Sequence, residues 1–162
     1  MFTTHLSFSW DLLFRLGMAL LVGVVLGLNR WLHHKSAGIR THSLVAIGAA
    51  LAMLLIASMP AADVEASSRV VQGLLTGIGF LGAGVIIHEG NSRRIHGLTT
   101  AASVWACALL GATFGSGEYA LGSTALLMIL LVLVFGGRVE RMTGTLMGIS
   151  QESEVPSEQE DQ

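Results

Sequence analysis

Five long apolar blocks dominate this sequence. They cover residues 12–28, 43–59, 70–87, 98–114 and 119–135. Each approaches the roughly 17 to 25 residues that a helix needs to cross a bilayer. A helix satisfies its backbone hydrogen bonds internally, so it is the structure that an apolar segment adopts in hydrocarbon. The blocks therefore predict an all-α, polytopic membrane protein with about five transmembrane helices.

Composition supports one membrane domain. Of the 162 residues, 52% are hydrophobic and 12% are charged, whereas a soluble domain carries roughly a quarter charged residues. The single cysteine, Cys107, lies in the fourth block and has no partner for an intrachain disulfide. We expect a periplasmic N-terminus at 1–11, a membrane domain at 12–137, an interfacial segment at 138–150 and an acidic, disordered tail at 151–162.

Basic residues are distributed unevenly between the blocks. Most of them follow the first, third and fifth blocks, and Arg69 alone lies before the third. Because basic loops stay in the cytoplasm, the N-terminus is predicted outside and the C-terminus inside. Arg15 lies within the first block, four residues after Asp11, as either a snorkelled interfacial ion pair or a functional arginine. The basic residues on the predicted cytoplasmic side are Arg30, Lys35, Arg40, Arg93, Arg94, Arg138 and Arg141.

The third block has a face of small residues opposite a bulky stripe. Such a face is typical of a helix that packs closely against another backbone, either within the monomer or in a partner. Gln72 and Thr76 lie on this face, and Thr99 and Ser103 lie on a similar, weaker face of the fourth block. We therefore predict tight packing between the third and fourth helices. The glycines assigned to this packing are Gly73, Gly77, Gly79, Gly82 and Gly84.

The interiors of the blocks contain no Asp or Glu, since Asp11, Glu89 and Glu118 all lie at block ends. Proton relays and desolvating divalent-cation sites need carboxylates at depth, so a pump is disfavoured, while a pore lined by carbonyls or amides stays open. The histidines lack metal-ligand spacing, and no enzymatic motif occurs. We expect no catalytic activity, cofactor, metal site or nucleic-acid partner. The histidines on the predicted cytoplasmic side are His33, His34, His42, His88 and His96.

Two sets of residue strings carry a resemblance to a known family. The first reads GLNR, AGIRTHSLV and GAAL from residue 27 to 51, and the second reads GIGFLGAGVI and GLTTAA from 77 to 102. In order and spacing, over about residues 12–135, the chain resembles the MgtC/SapB family of bacterial inner-membrane proteins. The resemblance implies a five-helix membrane domain. The candidate residues that match its motifs are Arg30, Arg40, Thr41, His42, Thr99 and Thr100.

The chain departs from the family pattern in three places. Asn29 replaces the acidic residue of a G-L-E-R pattern, and Ala66 lies in the stretch where the family usually has an aspartate and a proline before Arg69. The cytoplasmic ACT-like domain of some members is also expected to be missing. If those acids matter in the family, the function of this protein is expected to be lost or changed.

The resemblance implies a small regulatory protein linked to magnesium homeostasis, stress and intracellular survival. Such a protein would act in the bilayer through contacts with copies of itself or with another membrane complex, including the ATP synthase. The alternative is a subunit of a magnesium or other cation transporter or channel. In that case Gln72, Thr76, Thr99 and Ser103 would line a polar path with Arg30 and Arg40 at its inner mouth.

The candidate residues also have plainer interpretations. Arg30 and Arg40 fit the positive-inside rule and contact with lipid phosphates, and Thr41 could cap the second helix. Arg69 is the stronger candidate because a basic residue on the outer side departs from that rule. We expect Arg69→Ala to lower activity or assembly while leaving membrane insertion intact.

Overall fold

The computed structural model describes residues 10–59, 64–88 and 95–146. Five helices in this part of the chain are long and apolar enough to cross a membrane, so the predicted all-α, multi-pass fold is confirmed. A two-residue antiparallel pair, β1 (Ile87–His88) and β2 (Ile95–His96), lies between the third and fourth helices in the sequence. The orientation of the termini stays a prediction. The helices are α1 (Trp10–Leu32), α2 (Ile39–Ala57), α3 (Val64–Val85), α4 (Leu98–Gly115) and α5 (Tyr119–Leu146).

The chain divides into two compact units, residues 1–129 and 130–162. In the first unit, the described residues comprise α1 to α4, the strand pair and the start of α5. In the second unit they comprise the rest of α5, where the Arg138 guanidinium carbon lies 6.0 Å from the centre of the Phe135 ring. The site described below lies entirely in the first unit.

Close contacts between α1, α2 and α4 form the centre of the first unit. A Cβ atom added to Gly27 would lie 2.5 Å from the Cα of Ile39, and one added to Gly111 would lie 2.7 Å from the Cα of Ala46. Because backbone atoms occupy that space, no side chain fits at either glycine without separating the helices. The central helix is α4, with 56% of its span buried, compared with 11% for α3.

Several helices extend beyond the apolar blocks. α3 begins at Val64 and not near residue 70, so Arg69 lies inside the helix. α1 runs to Leu32 and includes Arg30 in its last turn. The apolar blocks underestimate these lengths because a helix continues into polar residues at its ends.

The structure describes only part of the segments that were predicted at the two ends of the chain. Residues 138–146 of the predicted interfacial segment belong to α5. The predicted acidic tail at 151–162 and most of the predicted periplasmic segment lie outside the described residues. Neither of those predictions is tested.

α3 contacts α4, as predicted, but the contact does not include four of the five glycines assigned to it. Only Gly82 meets α4, where an added Cβ would lie 3.6 Å from the Cβ of Ala101. α3 instead turns part of its bulky stripe inward, with Ile78 in the apolar core and Leu74 packed against that core, while Leu81 is 48% exposed. The longer side chains make more van der Waals contacts in the core than glycines would. The glycines for which no described residue outside their own helix backbone lies within 4 Å of an added Cβ are Gly73, Gly77, Gly79 and Gly84.

Candidate functional site

A cluster of polar side chains is buried between α1, α2 and α4. It is built around Arg30, which is 5% exposed, and His42, which is fully buried. We refer to Arg30, His42, Thr100, Ser103 and Cys107 as the polar cluster. Arg30 lies in the last turn of α1, where the carbonyl end of the helix favours a cation, and His42 lies near the start of α2.

Spacing along α4 brings the other three members onto one face. Thr100, Ser103 and Cys107 follow one another at intervals of three and four residues, which places them one above the other on a helix. Arg30 Nη2 donates to Thr100 Oγ1 at 2.7 Å. The Cys107 thiol donates to the carbonyl oxygen of His42 at 3.3 Å. The cluster therefore links three helices through groups far apart in sequence.

Hydrogen bonds fix the orientation of the His42 ring. Its Nδ1 lies 3.0 Å from the carbonyl oxygen of Gly38, and its Nε2 lies 3.1 Å from Ser103 Oγ. The first contact requires a proton on Nδ1, since a carbonyl only accepts. A neutral ring therefore accepts the Ser103 proton at Nε2. That hydroxyl also lies 2.8 Å from the Thr100 carbonyl, so its single proton serves one of the two acceptors at a time.

Arg30 is the least compensated member of the cluster. Among the described residues, no carboxylate pairs with it, whereas Arg15 and Arg69 pair with Asp11 and Glu65. Its Nε is buried without a hydrogen-bond partner. A guanidinium out of water is costly unless its charge and its N–H donors are satisfied. The positive-inside rule alone therefore does not explain why Arg30 is buried.

The structure brings some of the predicted site residues together and separates the rest. Arg30, His42, Thr100 and Ser103 meet in the polar cluster. The predicted residues that lie on the exposed surface are Arg40, Thr41, Arg69, Gln72, Thr76 and Thr99.

The predicted polar path does not form within one chain. Ser103 is buried against His42, whereas Thr99 and the two α3 residues are exposed. Gln72 Nε2 donates to Ser68 Oγ at 3.3 Å, and the Thr76 hydroxyl donates to the carbonyl of Gln72 at 2.9 Å. Both polar groups on α3 are thus satisfied on their own helix. The described residues contain no group of three histidine, cysteine or acidic side chains that could hold a metal ion.

The structure also describes the surroundings of Arg69 and Thr41, two residues with predicted roles. Arg69 Nη1 lies 2.6 Å from Oε1 of Glu65, one turn earlier on α3, and both side chains are largely exposed. The N-cap of α2 is Gly38, so the suggestion that Thr41 caps this helix is wrong. The helix begins earlier than its apolar block, which makes Thr41 the third residue of the helix.

The sequence-based reasoning missed two contributions. Cys107 was considered only as a possible disulfide partner, although its spacing from Ser103 places it on the same helix face. Arg15 pairs with Asp11 at 2.8 Å, as the spacing suggested, but it also donates to the carbonyl of Gly115 at 3.2 Å. This hydrogen bond gives a carbonyl group at the C-terminal end of α4 a side-chain donor, and it links that end to the first part of α1.

Comparison with known proteins gives a consistent result. The sequence profile of the MgtC family matches residues 16–142. The chain is 42% identical over 139 residues to Protein SrpB of Synechococcus elongatus, covering 80% of this chain and 76% of that protein. It is 38% identical over 130 residues to Putative magnesium transporter YhiD of Escherichia coli, covering 76% of this chain and 59% of that protein.

A further relative is matched over less of its length. The chain is 40% identical over 114 residues to Protein MgtC of Brucella abortus, covering 70% of this chain and 46% of that protein. The chain thus spans about three quarters of SrpB, but only about half of the other two relatives. No solved structure matches the chain.

Proposed function

The chain belongs to the MgtC family, and from this premise we propose that it is a regulatory protein of magnesium homeostasis in the bacterial inner membrane. It acts through helix–helix contacts with a second copy or another membrane complex, such as the ATP synthase, and it has no catalytic activity. The similarity to Putative magnesium transporter YhiD supports the link to magnesium. The same proposal includes a role in stress and intracellular survival.

The observation that carries this proposal is the exposed glycine face of α3. Gly73, Gly77 and Gly84 are four and seven residues apart, so they share one face of the helix. Apart from the backbone of α3 itself, no described residue has an atom within 4 Å of a Cβ added to any of them. Glycine inside a helix costs roughly 1 kcal/mol relative to alanine, so these positions weaken α3 without improving packing inside the chain.

A partner helix would account for that face. Small residues spaced by four allow helix backbones to approach closely in lipid, where van der Waals packing and not water exclusion drives association. Only 11% of the residues in the apolar span of α3 are fully buried, so one side of this helix is available to another helix. This supports contact with a partner in the bilayer.

The test is a leucine substitution in the centre of the glycine face. Gly77→Leu should abolish crosslinking or co-purification through α3 and impair growth at limiting magnesium, in a bacterium that depends on this protein for that growth. Gly48→Leu is the matched control, because Gly48 is also exposed in a transmembrane helix and has nothing within 4 Å of an added Cβ. If the two variants behave alike, the α3 face is not the partner surface.

Transport is the second candidate function, and the name of the relative YhiD favours it. Gln72 and Thr76 lie beside the glycine face of α3, so a path lined by them would require two α3 helices from different copies. Magnesium flux into liposomes containing the purified protein, lost in Gln72→Leu, would support transport. Flux no greater than that of empty vesicles would support regulation.

A further inference from the structure

A polar cleft lies where α1 ends, α3 ends and α4 begins. Its volume is about 230 Å³. That space is several times the roughly 30 Å³ that a water molecule occupies in the liquid, which leaves room for a small hydrated anion. None of the described residues that line it is acidic. The cleft is lined by His34, Lys35, Ser36, Val85, His96, Gly97 and Thr100.

The charges around the cleft are suited to an anion. Lys35 contributes a positive charge and three N–H donors. Behind the wall, the buried Arg30 donates to Thr100 Oγ1 at 2.7 Å. Because Thr100 Oγ1 accepts this bond, its own proton can be donated into the cleft. The positive charge of Arg30 thus makes the Thr100 hydroxyl a stronger donor toward the cleft. No carboxylate among the described residues forms an ion pair with Arg30.

The first turn of α4 adds backbone donors to the same wall. Its N-cap is Gly97, which has no side chain to accept from the first N–H groups of the helix. Unsatisfied N–H groups and the positive end of the helix dipole favour an anion at such a position. Gly97 has φ 93°, and a Cβ there would collide with the carbonyl oxygen of Val85. This close contact with the end of α3 narrows the cleft around the start of α4.

The connector between α1 and α2 holds Lys35 in a constrained backbone. His34 has φ 53°, a left-handed conformation that is uncommon for a residue other than glycine. Its N–H donates to the carbonyl of Trp31 at 3.0 Å, and the N–H of Lys35 donates to the carbonyl of Arg30 at 3.1 Å. These two hydrogen bonds close the C-terminal end of α1 as a Schellman motif does, so they fix the backbone of Lys35 beside the end of that helix.

From these observations we propose that the cleft binds a phosphate group, carried by an anionic phospholipid or by a free phosphate ion. Lysine binds phosphate as a point charge, while the hydroxyl of Thr100 and the α4 N–H groups supply directed donors. The cleft is formed by helix ends, where lipid headgroups meet a membrane protein. This proposal does not depend on the partner surface of α3.

The full chain, purified in detergent, tests the proposal by calorimetric titration with two probes. One probe is inorganic phosphate, and the other is dioctanoyl phosphatidylglycerol, with dioctanoylglycerol as the control without phosphate. At least one phosphate probe should bind, and Lys35→Gln should weaken that binding about tenfold or more. Arg40→Gln is the matched control, since Arg40 is an exposed cation nearby that does not line the cleft. We expect this control to change the affinity less than about twofold.

The two probes identify the source of the phosphate. Binding of the lipid alone indicates a headgroup site, and binding of inorganic phosphate indicates a soluble anion. Thr100→Val should also weaken binding, and if this buried variant unfolds, the exposed Lys35→Gln change still decides the question. The proposal is overturned if neither probe binds, or if Arg40→Gln weakens binding as much as Lys35→Gln does.

Discussion

Glycines in two regions of this protein have opposite surroundings. In α1 and α4 they lie against neighbouring backbones, as Gly27 does at Ile39 and Gly111 at Ala46. In α3, Gly73 and Gly77 have no neighbour within 4 Å of an added Cβ. The same residue type therefore builds the interior of the first unit in one region and an unfilled surface in the other.

Hydroxyl groups show the same contrast. Ser103 on α4 is buried and contacts His42 on α2, whereas Thr76 on α3 is exposed and donates to a carbonyl of its own helix. A buried hydroxyl that bonds across helices fixes their relative position, whereas one that bonds to its own helix constrains nothing outside it. The region around α4 thus holds the described fold together, while the α3 face is free to serve another molecule.

The strongest test of this comparison is Gly111→Ala. The added Cβ would collide with the backbone of Ala46, and backbone atoms cannot move aside as a flexible side chain can. We expect the free energy of unfolding to fall by roughly 3 kcal/mol, measured by denaturation in detergent micelles. Gly48→Ala is the control on an exposed helical surface and should leave stability unchanged or raise it by up to about 1 kcal/mol. Equal stability of the two variants would show that α2 and α4 do not approach this closely.

The next largest effect is expected for His42→Leu. The change removes the contacts of the ring with Gly38 and Ser103 and leaves a buried carbonyl without its side-chain partner. We expect a loss of about 2 kcal/mol in the same measurement. Thr41→Ala, at an exposed neighbouring position, should stay within roughly 0.5 kcal/mol of the wild type. A stable His42→Leu variant would mean that the polar cluster contributes little to holding the three helices together.

Long apolar blocks made the helix count predictable, because block length is a local property of the sequence. The polar cluster was only partly predictable. Arg30 and His42 were identified by their motif, but their partners Thr100 and Ser103 lie 70 and 61 residues away. Nothing local in the sequence specifies such pairs, because they depend on how the helices pack.

The face that α3 turns inward was predicted wrongly for a related reason. A helix with one bulky face and one small-residue face can bury either, and the sequence does not state which neighbour each face meets. Here Ile78 enters the core, and the opposite glycines remain exposed. The pattern does not specify which molecule the glycine face packs against, and contact with a partner stays a proposal.

The smallest effect on stability is expected for Gly77→Ala, and it sharpens the comparison most. In detergent dilute enough to hold the protein as a monomer, the added methyl group meets no described residue outside its own helix backbone and improves helix propensity. The free energy of unfolding should therefore stay the same or rise by up to about 1 kcal/mol. In membranes the same methyl group should weaken self-association or partner capture, because it keeps the two backbones apart. A loss of monomer stability as large as that of Gly111→Ala would instead place Gly77 against another part of this chain and remove the distinction between the two regions.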